Sequence, residues 1–238
     1  MAETSPGVRP SSRDNVKALS PVTHDDAHAA YMAFHAAASV QELAEALEKQ
    51  AAELLRCERV TFFRVEAHEK VVNLVGVRNR GRTRVSFPLG EGIAGSVAGD
   101  KGFYICNDPK DDPLYVQAID GIQGAEVKNV LSAAMEAGGE TAGVLQAINK
   151  KGRGFEENDA YWLQLLAEHG ALAYARIKRS EEGWQLVRGL AEAVAAAVDN
   201  KHVSTVGHSD RTRQIALAVG RALELSADEM LELELAAL

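Results

Sequence analysis

From Glu156 onward the spacing of apolar residues settles into one long helical pattern, and this run constrains everything before and after it. Trp162, Leu166, His169, Ala173, Ile177, Ser180, Trp184, Val187, Ala191, Val194 and Val198 step by four and three, with one extra-residue stutter near 177. That is a heptad seam sustained for about five repeats of seven. A helix of this length must lie on a sheet or on another helix. Over 162–173 it is expected to pack on the protein's own sheet. From Ile177 to Val198 no sheet remains to cover it, so a parallel helix pair is expected, giving a homodimer through residues 162–198. The small seam residues Ala173, Ser180 and Ala191 keep that pair moderate in strength.

The sheet is written upstream. Residues 1–24, with Pro6, Pro10 and Pro21 among Ser, Gly and charges, read as a disordered tail. A helix is predicted from Asp25 to about Ala38. His24 and His28 have the i, i+4 spacing of a metal chelate, but with Asp25 and Asp26 they read better as a solvated first helical turn. Ser39-Val40-Gln41-Glu42 is a capping box, followed by Leu43, Leu47, Ala51 and Leu54 on one stripe of a helix ending near Arg56. Strands are predicted over 59–66, 71–75 and 83–87, then 103–106, and a closing hairpin over 127–136 and 141–149. The segment 107–124 is long, carries Pro109 and Pro113, and has enough apolar weight (Leu114, Tyr115, Val116, Ile119, Ile122) to fold as a lid.

Between strand and lid stands Gly90-Glu91-Gly92-Ile93-Ala94-Gly95, a glycine turn that feeds a short helix over 93–98. Backbone N–H groups at such a helix start lack intrahelical partners, and the helix dipole adds to their pull on anions. A pocket for a small phosphate-bearing ligand is therefore expected here, although such a turn is more often a plain helix entry. The net charge of −8 argues against nucleic acid, which needs a basic face. No run of about 18 apolar residues exists to span a membrane, and the N-terminus lacks an apolar signal core, so a cytoplasmic protein is expected. Two cysteines, Cys57 and Cys106, are too few for a disulfide framework.

Residues 40–180 resemble a GAF domain. The resemblance is carried by Leu89-Gly90-Glu91-Gly92-Ile93-Ala94-Gly95-Ser96-Val97-Ala98, by Asp108, Asp112-Pro113-Leu114-Tyr115 and Asp120 in the lid, and by Ala142 to Lys150 in the penultimate strand. It implies an α+β fold: a six-stranded antiparallel sheet with flanking helices and a ligand pocket in front. Asn149, Lys150, Phe155 and Asp159 are similar to the Asn-Lys…Phe…Asp-Glu signature of the cyclic-nucleotide-binding subgroup, with Ala160 in place of the final acid. Physically, Lys150 and Asp159 would form a clasp that fixes the exit helix against the sheet. The resemblance further implies that Ile93 and Ala94 hold a cyclic phosphate through backbone N–H groups. It places Thr61 and Gln146 where strand side chains face the ligand, and Asp120, Gln123 and Val127 on the lid. The stacking aromatic falls near Val75 or Gly76, so that base stacking, worth ~1–3 kcal/mol on single strands, would be lost. Cyclic AMP or cyclic GMP is the implied ligand. Neither cysteine falls where a bilin would attach.

The last forty or so residues resemble the opening of an HD-GYP domain, through Leu190-Ala191-Glu192-Ala193-Val194, Asp199, Thr205 and Gly207 to Thr212. That family hydrolyses cyclic di-GMP with metal ions held by His and Asp. Ser209 and Ser226 are expected to cap two helices, but the sequence stops at Leu238, before the family's His-Asp pair. Asp199 is a weak candidate for a peripheral metal; His202 replaces the usual acid, and His208 reads as a helix-entry histidine. No catalysis is expected from these 238 residues, because a binuclear centre needs several ligands and a bridging water. The expected organisation is a tail (1–24), a GAF sensor (25–180), a connecting helix (181–200) and an HD-GYP fragment (201–238). The implied role is the small-molecule sensor of a cyclic di-GMP phosphodiesterase, signalling through a dimeric helix. A ligand-free dimerisation module and a metal-dependent enzyme are the alternatives.

Overall fold

The computed structural model of the chain describes residues 24–75, 85–120, 126–199 and 208–237. They divide into two compact units, one ending at Ile177 and the other beginning at Lys178.

The first unit is an α+β layer structure. Helices α1 (His24–Ala36) and α2 (Val40–Leu55) lead into strands β1 (Cys57–Glu66), β2 (Val71–Val75) and β3 (Ser86–Pro88). Helix α3 (Gly92–Asp100), strand β4 (Phe103–Cys106) and the single turn α4 (Gln117–Asp120) follow. The hairpin β5 (Val130–Ala137) and β6 (Glu140–Lys150) precedes α5, which runs from Glu157 to Asp199. The six strands form one antiparallel sheet in the order β3-β2-β1-β6-β5-β4. The β5–β6 turn is Gly138-Gly139, both with positive φ, as a tight hairpin turn requires.

Residues alternate across this sheet. On the back face Val60, Phe62, Leu131, Ala133, Leu145 and Ala147 meet α2 and the first half of α5 in one core. Gly170 allows the close approach there: a Cβ on it would sit 2.7 Å from Leu47 Cδ2 and 3.1 Å from Met135 Cε. Ser39 caps α2 by accepting from Glu42 N–H at 3.2 Å. Glu42 reaches back to Ala38 N–H rather than to Ser39, so the expected capping box closes one residue early.

The seam is consumed differently along its length. Leu166, Ala173 and Ile177 are buried in the back core of their own unit, so they cannot also face a partner helix. These residues are thereby removed from the homodimer seam expected over 162–198. In the second unit Trp184, Val187, Leu190 and Val194 on α5 are 45–63% exposed. Here α6 (His208–Ala222) packs on α7 (Ala227–Ala236) across Gly220, whose added Cβ would lie 2.6 Å from Met230 Sδ. Helix α6 starts one residue before Ser209, the expected cap, whereas Ser226 caps α7 in a full capping box. Arg188 and Arg213 both bind the buried carboxylate of Glu234, at 3.1 Å each.

Candidate functional site

The front face of the sheet is covered by α3, α4 and the lid. Phe63, Leu74, Val130, Val144 and Ile148 point this way and pack against Ile93, Ala94 and Val97 of α3. Within this apolar surface runs one polar row. Thr61 on β1 pairs in register with Gln146 on β6, Gln146 with Ser132 on β5, and Ser132 with Tyr104 on β4. All four are at most 9% exposed. Ser132 Oγ donates to Gln146 Oε1 at 3.3 Å, which offsets part of the cost of burying both groups. At the end of the row Tyr104 donates its hydroxyl to Asp112 Oδ2 at 2.7 Å, and Asp112 Oδ1 accepts from Leu114 N–H at 2.9 Å. Burial first, and then this carboxylate, push the Tyr104 phenol well above its ordinary pKa. The hydroxyl therefore stays a donor and latches the lid to the sheet.

Most of the expected site residues come together here. Thr61 and Gln146 lie side by side on the floor, Ile93 and Ala94 are buried in the first turn of α3, and Val127 is buried against the same cluster, just ahead of β5. Asp120 ends α4, while Gln123 and Gly76 lie outside the described residues. Val75 does not belong to the site. It pairs with Phe62 and packs on the back core, because period-two alternation turns it to the face opposite Leu74. Ser132 and the Tyr104–Asp112 latch were missed by sequence reading. A β-bulge between Met135 and Glu136 shifts the β5–β6 register, and only with that shift does Ser132 oppose Gln146.

The glycine turn closes on itself. Gly90 N–H donates to Gly95 O at 2.9 Å, Ser96 Oγ donates to Gly90 O at 3.3 Å, and Glu91 offers no side-chain cap to α3. The four members of the row are uncharged, so the floor is built for hydrogen bonds to a neutral polar edge. Leu114, Tyr115 and Val116 pack down on this cluster and Ile119 is buried in it, so residues 114–119 cover part of the front face.

The Asn149–Asp159 segment ties the sheet to α5. Lys150 Nζ pairs with Asp159 Oδ2, which also accepts from Glu156 N–H at 2.8 Å. Asn149 holds Lys128 N–H, Glu126 O and Glu58 Oε2. Phe155 is buried and gripped through its backbone by the Asn107 side chain, at 2.8 Å and 3.0 Å. Cys57, in the back core, has its thiol pKa pushed up to about 12 by burial. Asp199 closes α5 and His202 lies outside the described residues. Among the described residues no group of three His, Cys, Asp or Glu could hold a metal ion. No described helix is long and apolar enough to cross a membrane.

A six-stranded antiparallel sheet with a helical back and a lidded front defines a class of small-molecule-sensing modules. The chain matches the GAF domain family over residues 37–175 and belongs to it. GAF domains are small-molecule-sensing regulatory modules of signalling proteins, and are generally non-catalytic. Solved structures share this fold. A GAF domain from a Coxiella burnetii phosphoenolpyruvate-protein phosphotransferase is 17% identical with TM-score 0.58, covering 66% of this chain and 95% of that one. Its Acinetobacter counterpart is 14% identical with TM-score 0.57, over 66% and 96%. Residues 122 to 287 of a methyl-accepting chemotaxis protein are 20% identical with TM-score 0.53, over 62% and 96%. No curated protein sequence matches the chain.

Proposed function

We propose that the GAF domain of this chain binds a cyclic mononucleotide, cyclic AMP or cyclic GMP, between the polar row and α3, and reports it along α5. The observation that carries this reading is the buried, uncharged row Thr61–Gln146–Ser132 set in an otherwise apolar face beneath a lid. The base edge would bond to the row, and the phosphate would meet the N–H groups at the start of α3. Lid closure would reach α5 through Asn107, which is rooted at the start of the lid and holds Phe155 just before the helix. The exposed apolar residues of α5 from Trp184 to Val194 support a parallel helix pair as the carrier of the signal. Coupling of this kind is typically ~1–3 kcal/mol. On this reading the site performs no reaction, the protein is cytoplasmic and binds no nucleic acid, and residues 201–238 are the start of an HD-GYP phosphodiesterase domain that the ligand regulates.

The second reading is a dimerisation module without ligand. Leu114, Tyr115, Val116 and Ile119 favour it, since they fill against the front cluster by themselves. Calorimetric titration with cyclic AMP, cyclic GMP and cyclic di-GMP decides between the two. Saturable heat with either mononucleotide is expected; no heat with any of the three leaves the dimerisation module. Sedimentation of the same samples is expected to give a dimer, and a monomer at all concentrations removes the paired-helix carrier.

A further inference from the structure

The two edges of the sheet are unlike. β3 is three residues long and ends in Pro88, which has no N–H to offer a further strand. β4 carries no such block. Ala134 N–H donates to Gly102 O at 2.8 Å, which makes Gly102 and Ala134 a hydrogen-bonded pair of the antiparallel ladder. By alternation Tyr104 and Cys106 also bond inward to β5, and the N–H and C=O groups of Phe103 and Ile105 point away from the sheet. Beside that edge lies an open cleft of about 510 Å³, lined by Phe103, Tyr104, Ile105, Asn107, Phe155 and the pair Glu156–Glu157. It shares Tyr104 with the end of the front row but includes none of Thr61, Ser132 or Gln146.

We propose that this cleft is a second binding site, which takes an extended peptide segment of alternating apolar and basic residues as a seventh strand against β4. Outward backbone groups at Phe103 and Ile105 supply the ladder. The aromatic and aliphatic walls take the apolar side chains, and Glu156 and Glu157, both exposed, face the basic ones. The same charges argue against a second copy of this chain as occupant, since edge-to-edge pairing about a twofold axis would set four glutamates near one another, in a protein of net charge −8. Because Asn107 and Phe155 belong to both the cleft wall and the root of α5, a bound strand would stiffen that root.

The test uses the full chain and a fluorescein-labelled peptide alternating valine and lysine, followed by anisotropy. Saturable binding is expected, weakened by roughly tenfold or more when the lysines are replaced by glutamate or when Glu156→Lys and Glu157→Lys are combined. Ile105→Pro removes one outward N–H while sparing the inward ladder, and is expected to weaken binding by roughly tenfold, the scale of one backbone hydrogen bond. A peptide N-methylated on alternate residues makes the same test with the protein unaltered, and should also bind weakly. Gln146→Leu, in the front site, should leave this binding unchanged, so its failure and that of the nucleotide reading are separable. Equal binding of the lysine and glutamate peptides, or undiminished binding of the N-methylated one, overturns the proposal. So does self-association that Ile105→Pro abolishes, because the edge would then belong to a second copy.

Discussion

The two faces of this sheet are made by alternate residues of the same strands, yet they do different work. On β6 the back-facing residues are Leu145 and Ala147, both wholly buried against α2 and α5. Their neighbour Gln146 turns forward and is also buried, but with an amide that must find partners. β5 repeats the contrast, with Leu131 and Ala133 behind and Ser132 in front. A face dominated by hydrocarbon gains stability from most of the atoms it hides. A face that buries an amide and three hydroxyls gives up some of that stability, and on the proposed reading it does so for a ligand. On that reading, the faces separate what holds the domain together from what it recognises.

The largest effects should come from breaking the back. Leu145→Ala removes a fully buried side chain between two helices and is expected to cost ~2–5 kcal/mol in urea unfolding, with mononucleotide affinity in the folded fraction unchanged. If affinity falls in step with stability, the faces are not separable. Cys57 provides a milder probe of the same face. Its thiol stays protonated in the folded state up to about 12, whereas the unfolded thiol ionises near 9.0. The unfolded state thus binds fewer protons across that window, and stability should fall as pH rises through it, by ~1.4 kcal/mol per unit from this group. Cys57→Ala is expected to flatten the decline between about pH 9 and pH 12 in denaturant midpoints, and an unchanged slope would place the thiol in water.

The back face was more legible than the front. The stripe Leu43, Leu47, Ala51 and the runs of β1 and β6 declare a core by periodicity alone, and Gly138-Gly139 declares the hairpin. The front site depends on registers that periodicity does not fix. Without the bulge at Met135 and Glu136, the Gly138-Gly139 turn would set Ser132 opposite Leu145. Val75 was misplaced for a related reason, since a slip of one residue along β2 exchanges the faces. The long seam divided as expected over 162–173, where Leu166 and Ala173 lie on their own sheet, but Ile177, expected to open the paired part, is buried there too. Spacing records that a stripe is apolar and leaves open which surface covers it.

The finest separation of the two faces comes from the polar row itself. Gln146→Leu alone leaves the Ser132 hydroxyl without its acceptor at a wholly buried position, so it should cost ~1–3 kcal/mol despite adding hydrocarbon. Combining Gln146→Leu with Ser132→Ala removes both partners, and burying apolar groups of similar shape is expected to bring stability back to within ~1 kcal/mol of the parent or above it. The double variant would then fold at least as well as the natural chain while losing the calorimetric signal for cyclic AMP and cyclic GMP. Stability restored with binding lost would mean that the front face holds its polar groups for recognition. Should the double variant instead be less stable than either single one, the row is a structural network in its own right, and the front face would differ from the back only in the chemistry of its packing.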